Sequence, residues 1–303
     1  MSQPAHPLGD GYSLIRVLRT WPVRPILLAL LLALALAAPA LAQAGVGSAL
    51  TKQMKAAGHY SGAVVVDNTT SRTLFAWKPN TPRVLASNTK LFTTATALAR
   101  FGSDGTFSTD VVSDTPVGPD GVLKGDLWLR GGGDPAFGTL SYVRKHYGPQ
   151  AGSVEYLVDA LATAGLTAVR GGVHGDESSF DTVRGVHDSG YGTSPWVGPL
   201  SALSFNHAYD GGHFQSSPPS FAADVLRKTL KADSISPGHA AATSRAPADA
   251  KVLASVSSPP MSTLVQLTNK ESDNFFAEML MKDIGHAASG FGTTAAGVKA
   301  VRS

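Results

Sequence analysis

A serine and a lysine three residues apart, Ser87 and Lys90, stand in the stretch Val84–Leu98 (VLASNTKLFTTATAL), where a helical pattern begins. Residues three apart on a helix project from nearly the same face, so hydroxyl and amine can come within hydrogen-bond reach. A neutral amine there can take the serine proton and leave a nucleophile. In water, a lysine with a pKa near 10.4 is a poor base, so the surroundings must lower that value by burial or by neighbouring positive charge. The helix N-terminus adds free N–H groups and partial positive charge that favour a developing oxyanion. An ordinary helix start has the same spelling, with Ser87 as N-cap and Lys90 solvated. About one Ser-x-x-Lys is expected by chance in a chain this long, and this one has one.

A second element raises the chemical reading. Lys270–Met279 (KESDNFFAEM) contains Ser272-Asp273-Asn274, the type of triplet that accompanies Ser-x-x-Lys in serine acyl-transfer sites. Its serine can relay a proton between the lysine and a leaving amine, and its asparagine can hold the lysine and a substrate carbonyl. The plain alternative is a Ser-Asp cap on the following helix. A similar triplet, Ser204-Phe205-Asn206, shows that the pattern is not rare here. The later one is preferred because it follows a linker and leads into a helix.

These residues need elements to hold them. Val46, Leu50 and Met54 predict a short helix stopping at Gly58, followed by strands at 62–67 and 73–77. Leu91, Ala95 and Leu98 give Asn88–Phe101 helical spacing. From Gly102 the texture shifts to glycine- and aspartate-rich turns around short strands such as 106–112 and 126–130, which reads as a separate inserted module. Within it, helices are expected at 153–164 and 220–232, and strands near 171–175 and 201–206. The polar, proline-bearing stretch 233–250 reads as a return linker. A strand at 251–256 and one or two helices over 261–284 follow. Nothing in the last dozen residues resembles a closing helix. The expected organisation is a signal at 1–42, a first domain segment at 43–101, the insert at 102–250 and a second segment at 251–303.

The 303 residues contain no cysteine, which excludes disulfides, thiolate metal sites and cysteine nucleophiles. Arg16, Arg19 and Arg24 precede the apolar run at 26–37, and an A-x-A site ends at Ala42. Cleavage there is preferred over an uncleaved anchor, and both place the functional part outside the cytoplasm, in the periplasm, cell envelope or extracellular space. The three arginines and one aspartate of residues 1–42 account for +2 of the formal +3, leaving +1. No dense basic patch interleaved with aromatics is present, so nucleic acid is not an expected partner. His207 and His213, six apart without a carboxylate, are weak evidence for a metal, and none is expected. Gly131–Pro135 (GGGDP) lacks the frame of a phosphate loop and reads as a tight turn.

Four blocks in order, at 84–98, 126–135, 199–206 and 258–280, resemble the D-Ala-D-Ala carboxypeptidase/endopeptidase family of class C penicillin-binding proteins, the penicillin-binding protein 4 type. The resemblance covers nearly all of 46–290. It implies an α+β fold, a penicillin-recognising serine transpeptidase/β-lactamase-like domain interrupted by a large inserted β-rich module. It also implies Ser87 as nucleophile, Lys90 as base, Ser272 as proton relay and Asn274 as the substrate-positioning group. Peptidoglycan stem peptides and β-lactams would be the ligands, with no cofactor, and peripheral association with membrane or cell wall is compatible with it. Oligomeric state and diamino-acid preference are not legible.

The family's third element, Lys-Thr-Gly or a close variant, does not occur in this sequence. The expectation is a truncated reading of a longer protein with the C-terminal part of the fold missing. Losing one oxyanion donor typically costs 10²- to 10³-fold in turnover, so weak or no activity is expected of this chain. The competing readings are a non-catalytic peptidoglycan-binding remnant, or a β-lactamase or esterase on the same fold.

Overall fold

In a computed structural model, the structure describes residues 46–186, 192–194 and 196–303. The export signal read at 1–42 lies outside them. Among the described residues no helix is long and apolar enough to cross a membrane. The described residues divide into two compact units, one ending at Val84 and one running from Leu85 to Ser303.

In the first unit, helix α1 (46–56) stops before Gly58, whose φ of +94° suits a residue without Cβ. Strands β1 (Ala63–Val66) and β2 (Thr73–Trp77) form an antiparallel hairpin with Ala63 opposite Trp77. Arg83 fastens this unit by donating to the carbonyls of Tyr60, Ser61 and Lys78.

The second unit has two cores. The first surrounds a five-stranded sheet in the order β10-β7-β5-β3-β11, made of β3 (Ser108–Ser113), β5 (Leu127–Gly131), β7 (Gly172–Asp176), β10 (His239–Thr243) and β11 (Lys251–Ser257). The two-residue strands β4 (Val122–Leu123) and β6 (Ala168–Val169) pair beside it, and β8 (Tyr209–Asp210) pairs with β9 (His213–Phe214). β5 runs parallel to β7 and antiparallel to β3. Alternation along the strands sorts the faces. Val111, Leu127, Leu129 and Val173 pack against α4 (Val154–Thr163) and α5 (Pro218–Ala232), whereas Val112 and Trp128 join Ala246 on the other side. Ser153 caps α4 by accepting from the Tyr156 N–H, and Pro218 opens α5 where a missing N–H costs nothing.

The second core is helical. It packs α2 (Lys90–Phe101), α6 (Met261–Lys270), α7 (Asn274–Ser289) and α8 (Thr294–Arg302) through Ala97, Met261, Leu264, Phe276, Leu280 and Ile284. The short α3 (Leu140–His146) contributes Val143.

Four expectations change. The helix beginning near Asn88 is present, but it buries Lys90, Thr93, Thr94 and Ala97 while Leu91 stays exposed. A small polar face lets α2 approach α6, where Thr94 and Asn269 bond. Residues 201–206 are not a strand. Leu203 and Phe205 are buried, but the backbone bonds go to scattered partners: Ala202 O accepts from Gly133, and Asn206 N donates to Phe137 O. The stretch read as linker contains β10, an edge strand parallel to β7, whose small exposed residues carry no hydrophobic alternation. The chain's last residues form α8, capped by the Thr293 hydroxyl. Its packing uses glycine instead of large side chains, because a Cβ on Gly297 would lie 2.0 Å from Met281 O.

Candidate active site

Ser87 sits in a 3-10 turn, Ala86–Thr89, immediately ahead of α2. Lys90, the first residue of α2, is only 8% exposed. Its Nζ donates to Ser87 Oγ at 3.2 Å and to Ser272 Oγ at 3.3 Å. One amine thus joins two hydroxyls. Burial lowers the pKa of Lys90, and the nearby charges of Asp273 and Glu278 oppose that shift. When neutral, the amine has a lone pair for the Ser87 proton and N–H groups for Ser272.

The backbone is strained on both sides of this contact. Ala86 has φ of +48° and Ser272 φ of +55°, a left-handed conformation costing about 1–3 kcal/mol at each non-glycine residue. Ser87 does not act as a helix cap: the N-cap of α2 is Thr89, without a side-chain bond. In the second motif the two readings divide between neighbours. Asp273 caps α7 by accepting from Phe276 N at 2.9 Å, while the Ser272 hydroxyl faces Lys90.

Asn274 begins α7 and lines a cleft of about 410 Å³ with Ser87, Ser272, Trp196, His207 and Phe214. Among the described residues it makes no hydrogen bond to Lys90, so its amide is available to a ligand. A larger cavity of about 880 Å³ shares Ser87 and Asn274 with this cleft and is lined also by Lys90 and Glu278. Ser87, Lys90, Ser272 and Asn274 are therefore brought together. The other triplet is not an equivalent: Asn206 Oδ1 accepts from Thr139 N, which helps hold a turn in which Asn206, His207 and Ala208 all have positive φ.

The sequence profile of the D-Ala-D-Ala carboxypeptidase 3 (S13) family matches residues 42–217 and 213–303. The chain belongs to that family. A D-alanyl-D-alanine carboxypeptidase from Actinomadura sp. (strain R39) is 35% identical over 152 residues, which is 50% of this S13 chain and 26% of the relative. The match thus spans about a quarter of that relative's length. Penicillin binding protein 4 (dacB) from Haemophilus influenzae superposes with a TM-score of 0.63 at 18% identity, covering 84% of this chain and 69% of that one. The same protein complexed with a novel beta-lactam gives a TM-score of 0.59 at 16% identity, covering 80% and 65%. The S13 chain has their α+β fold.

Several cleft residues of this S13 chain escape the motif reading. Trp196 and Phe214 also line the cleft, and their spacing in sequence gives no signal. His207, read only as a weak metal ligand, packs on Phe275 with ring centroids 4.2 Å apart. Its pKa is lowered by burial, with Asp273 opposing. Among the described residues no group of three or more histidine and acidic side chains could hold a metal ion. Glu278 falls one turn after Asn274 and reads in sequence as an ordinary helix charge.

Proposed function

We propose that this chain carries the acylation machinery of a serine D-Ala-D-Ala carboxypeptidase/endopeptidase acting on peptidoglycan stem peptides, and that β-lactams acylate the same serine. The supporting observation is the Ser87–Lys90–Ser272 chain of contacts at 3.2 and 3.3 Å, close to the range expected of a proton-transfer pair. In this reading Lys90 takes the Ser87 proton as Ser87 Oγ attacks the carbonyl. Ser272 passes that proton to the leaving amine, and water later resolves the acyl-enzyme. Asn274, which lines the cleft, orients the substrate amide.

The domain organisation belongs to the same proposal. The transpeptidase-like domain is interrupted from about 102 to 250; four of the five strands of the main sheet fall in that stretch, and their core also takes Ala254 from β11. β11, at the start of the second segment, pairs with β3. Export to the cell envelope through residues 1–42 is likewise part of this reading.

The sequence contains no Lys-Thr-Gly, so the expected acylation is slow. Prolonged incubation with a fluorescent penicillin should give a mass adduct on the Ser87 peptide that is absent in Ser87→Ala and is hydrolysed slowly. Rapid turnover of the adduct would identify a β-lactamase instead. No adduct at all would leave the non-catalytic, peptidoglycan-binding reading.

A further inference from the structure

The larger cavity contains a carboxylate that the reaction above does not use. Glu278 lies four residues after Asn274 on α7, and both line the cavity beside Ser87 and Lys90. Among the described residues no donor is hydrogen-bonded to its carboxylate. The cations whose charge bears on it are Lys282, one turn along its own helix, and after it Lys90, which lines the same cavity. Lys282 is committed elsewhere, donating to Asp181 and to the Val183 carbonyl. Arg302 reaches the same cavity from α8.

Two negative charges bear on Lys90, those of Asp273 and Glu278. Asp273 has the larger effect, but its Oδ1 is held by the Phe276 N–H as the cap of α7. Glu278 is the uncommitted one. We propose that Glu278 is a second counter-charge to the Lys90 amine in this cavity, a positioning residue that acts on the base alongside Asp273. The proposal rests on Lys90 acting as the base.

Burial acts on the two groups in opposite directions, lowering the pKa of Lys90 and raising that of Glu278. The opposite charges of the two groups counter those shifts, beside Asp273 for Lys90 and Lys282 for Glu278. Removing the carboxylate leaves Lys90 with Asp273 alone, so the amine deprotonates at lower pH.

The test compares Glu278→Gln, which keeps the shape and loses the charge, with Glu278→Asp, which keeps the charge. The ¹³C side-chain resonance of Lys90, assigned by its loss in Lys90→Arg, is titrated in each protein. The Gln variant should titrate lower than the parent by about half a pH unit or more, with the Asp variant close to the parent. The acid limb of Ser87 acylation by a fluorescent penicillin should shift in the same direction. Equal Lys90 midpoints in parent and Gln variant overturn the proposal. A uniformly slower Gln variant with an unmoved acid limb also overturns it, since that is the signature of a purely structural role. If the parent is not labelled at all, the proposed function fails, while the ¹³C titration still decides the pairing of Glu278 with Lys90.

Discussion

Lys90 and Ser272 lie 182 residues apart in the chain and 3.3 Å apart in space. That contact ties the first residue of α2 to the turn before α7. If Ser272 relays the proton, Ser272→Ala should lower the second-order rate constant for Ser87 acylation by roughly 10²- to 10⁴-fold, the usual weight of a positioned acid–base group. The thermal midpoint should barely move, because Ser272 is exposed. An unchanged rate would remove Ser272 from the reaction.

Asp273 should carry a stability effect that Ser272 lacks. Its side chain accepts from Phe276 N, and replacing such a cap by alanine costs about 1 kcal/mol. Asp273→Ala should therefore lower stability, measured by urea unfolding, whereas Asp273→Asn retains an acceptor and should recover most of the loss.

A second carboxylate pair carries a pH signature. Asp134 and Asp283 are both buried, and each has an Oδ2 without a hydrogen-bond partner. Burial pushes Asp134 up to about 7, and burial together with the Asp134 charge pushes Asp283 well above the carboxylate range. A raised folded-state pKa means that the stabilisation is complete below about pH 4, where the unfolded group also binds its proton, and is lost as pH rises through about 7. The melting temperature should fall between pH 5 and pH 8 for this reason. Asp134→Asn, which keeps an acceptor for the Ala136 N–H, should flatten that dependence. An equally steep fall in the variant would refute it.

The close crossing of α7 and α8 is testable by volume. A Cβ on Gly297 would meet Met281 O at 2.0 Å, and one on Gly285 would meet Thr293 O at 2.6 Å. Gly297→Val should cost roughly 1–3 kcal/mol or more, read as a drop in the denaturant midpoint. Gly192→Ala, with nothing within 4 Å, should be nearly neutral.

The hairpin, α4, α5 and the two helices after residue 260 are legible in sequence because large apolar residues repeat at strand or helix spacing. The site is legible because its four polar residues come in two short runs, each set at a helix start. What escapes has a common physical basis. β10 is an edge strand with little to bury, α8 packs through backbone contact at Gly297, and 201–206 alternates like a strand while its backbone bonds scatter. Glu278 escapes because a glutamate one turn into a helix is indistinguishable, by type and spacing, from a solvated one. Only the cavity shared with Lys90 separates the two.

The adjacency of Ser272 and Asp273 has a kinetic consequence. The residue facing Lys90 and the residue capping α7 share one turn, so fraying of the first turn of α7 should part the Lys90–Ser272 contact as well. The lifetime of the Ser87–Lys90–Ser272 contacts is then bounded by the opening rate of a helix end. Amide exchange at Phe276, whose N–H is held by Asp273, would serve as a clock for how long the three groups stay in register.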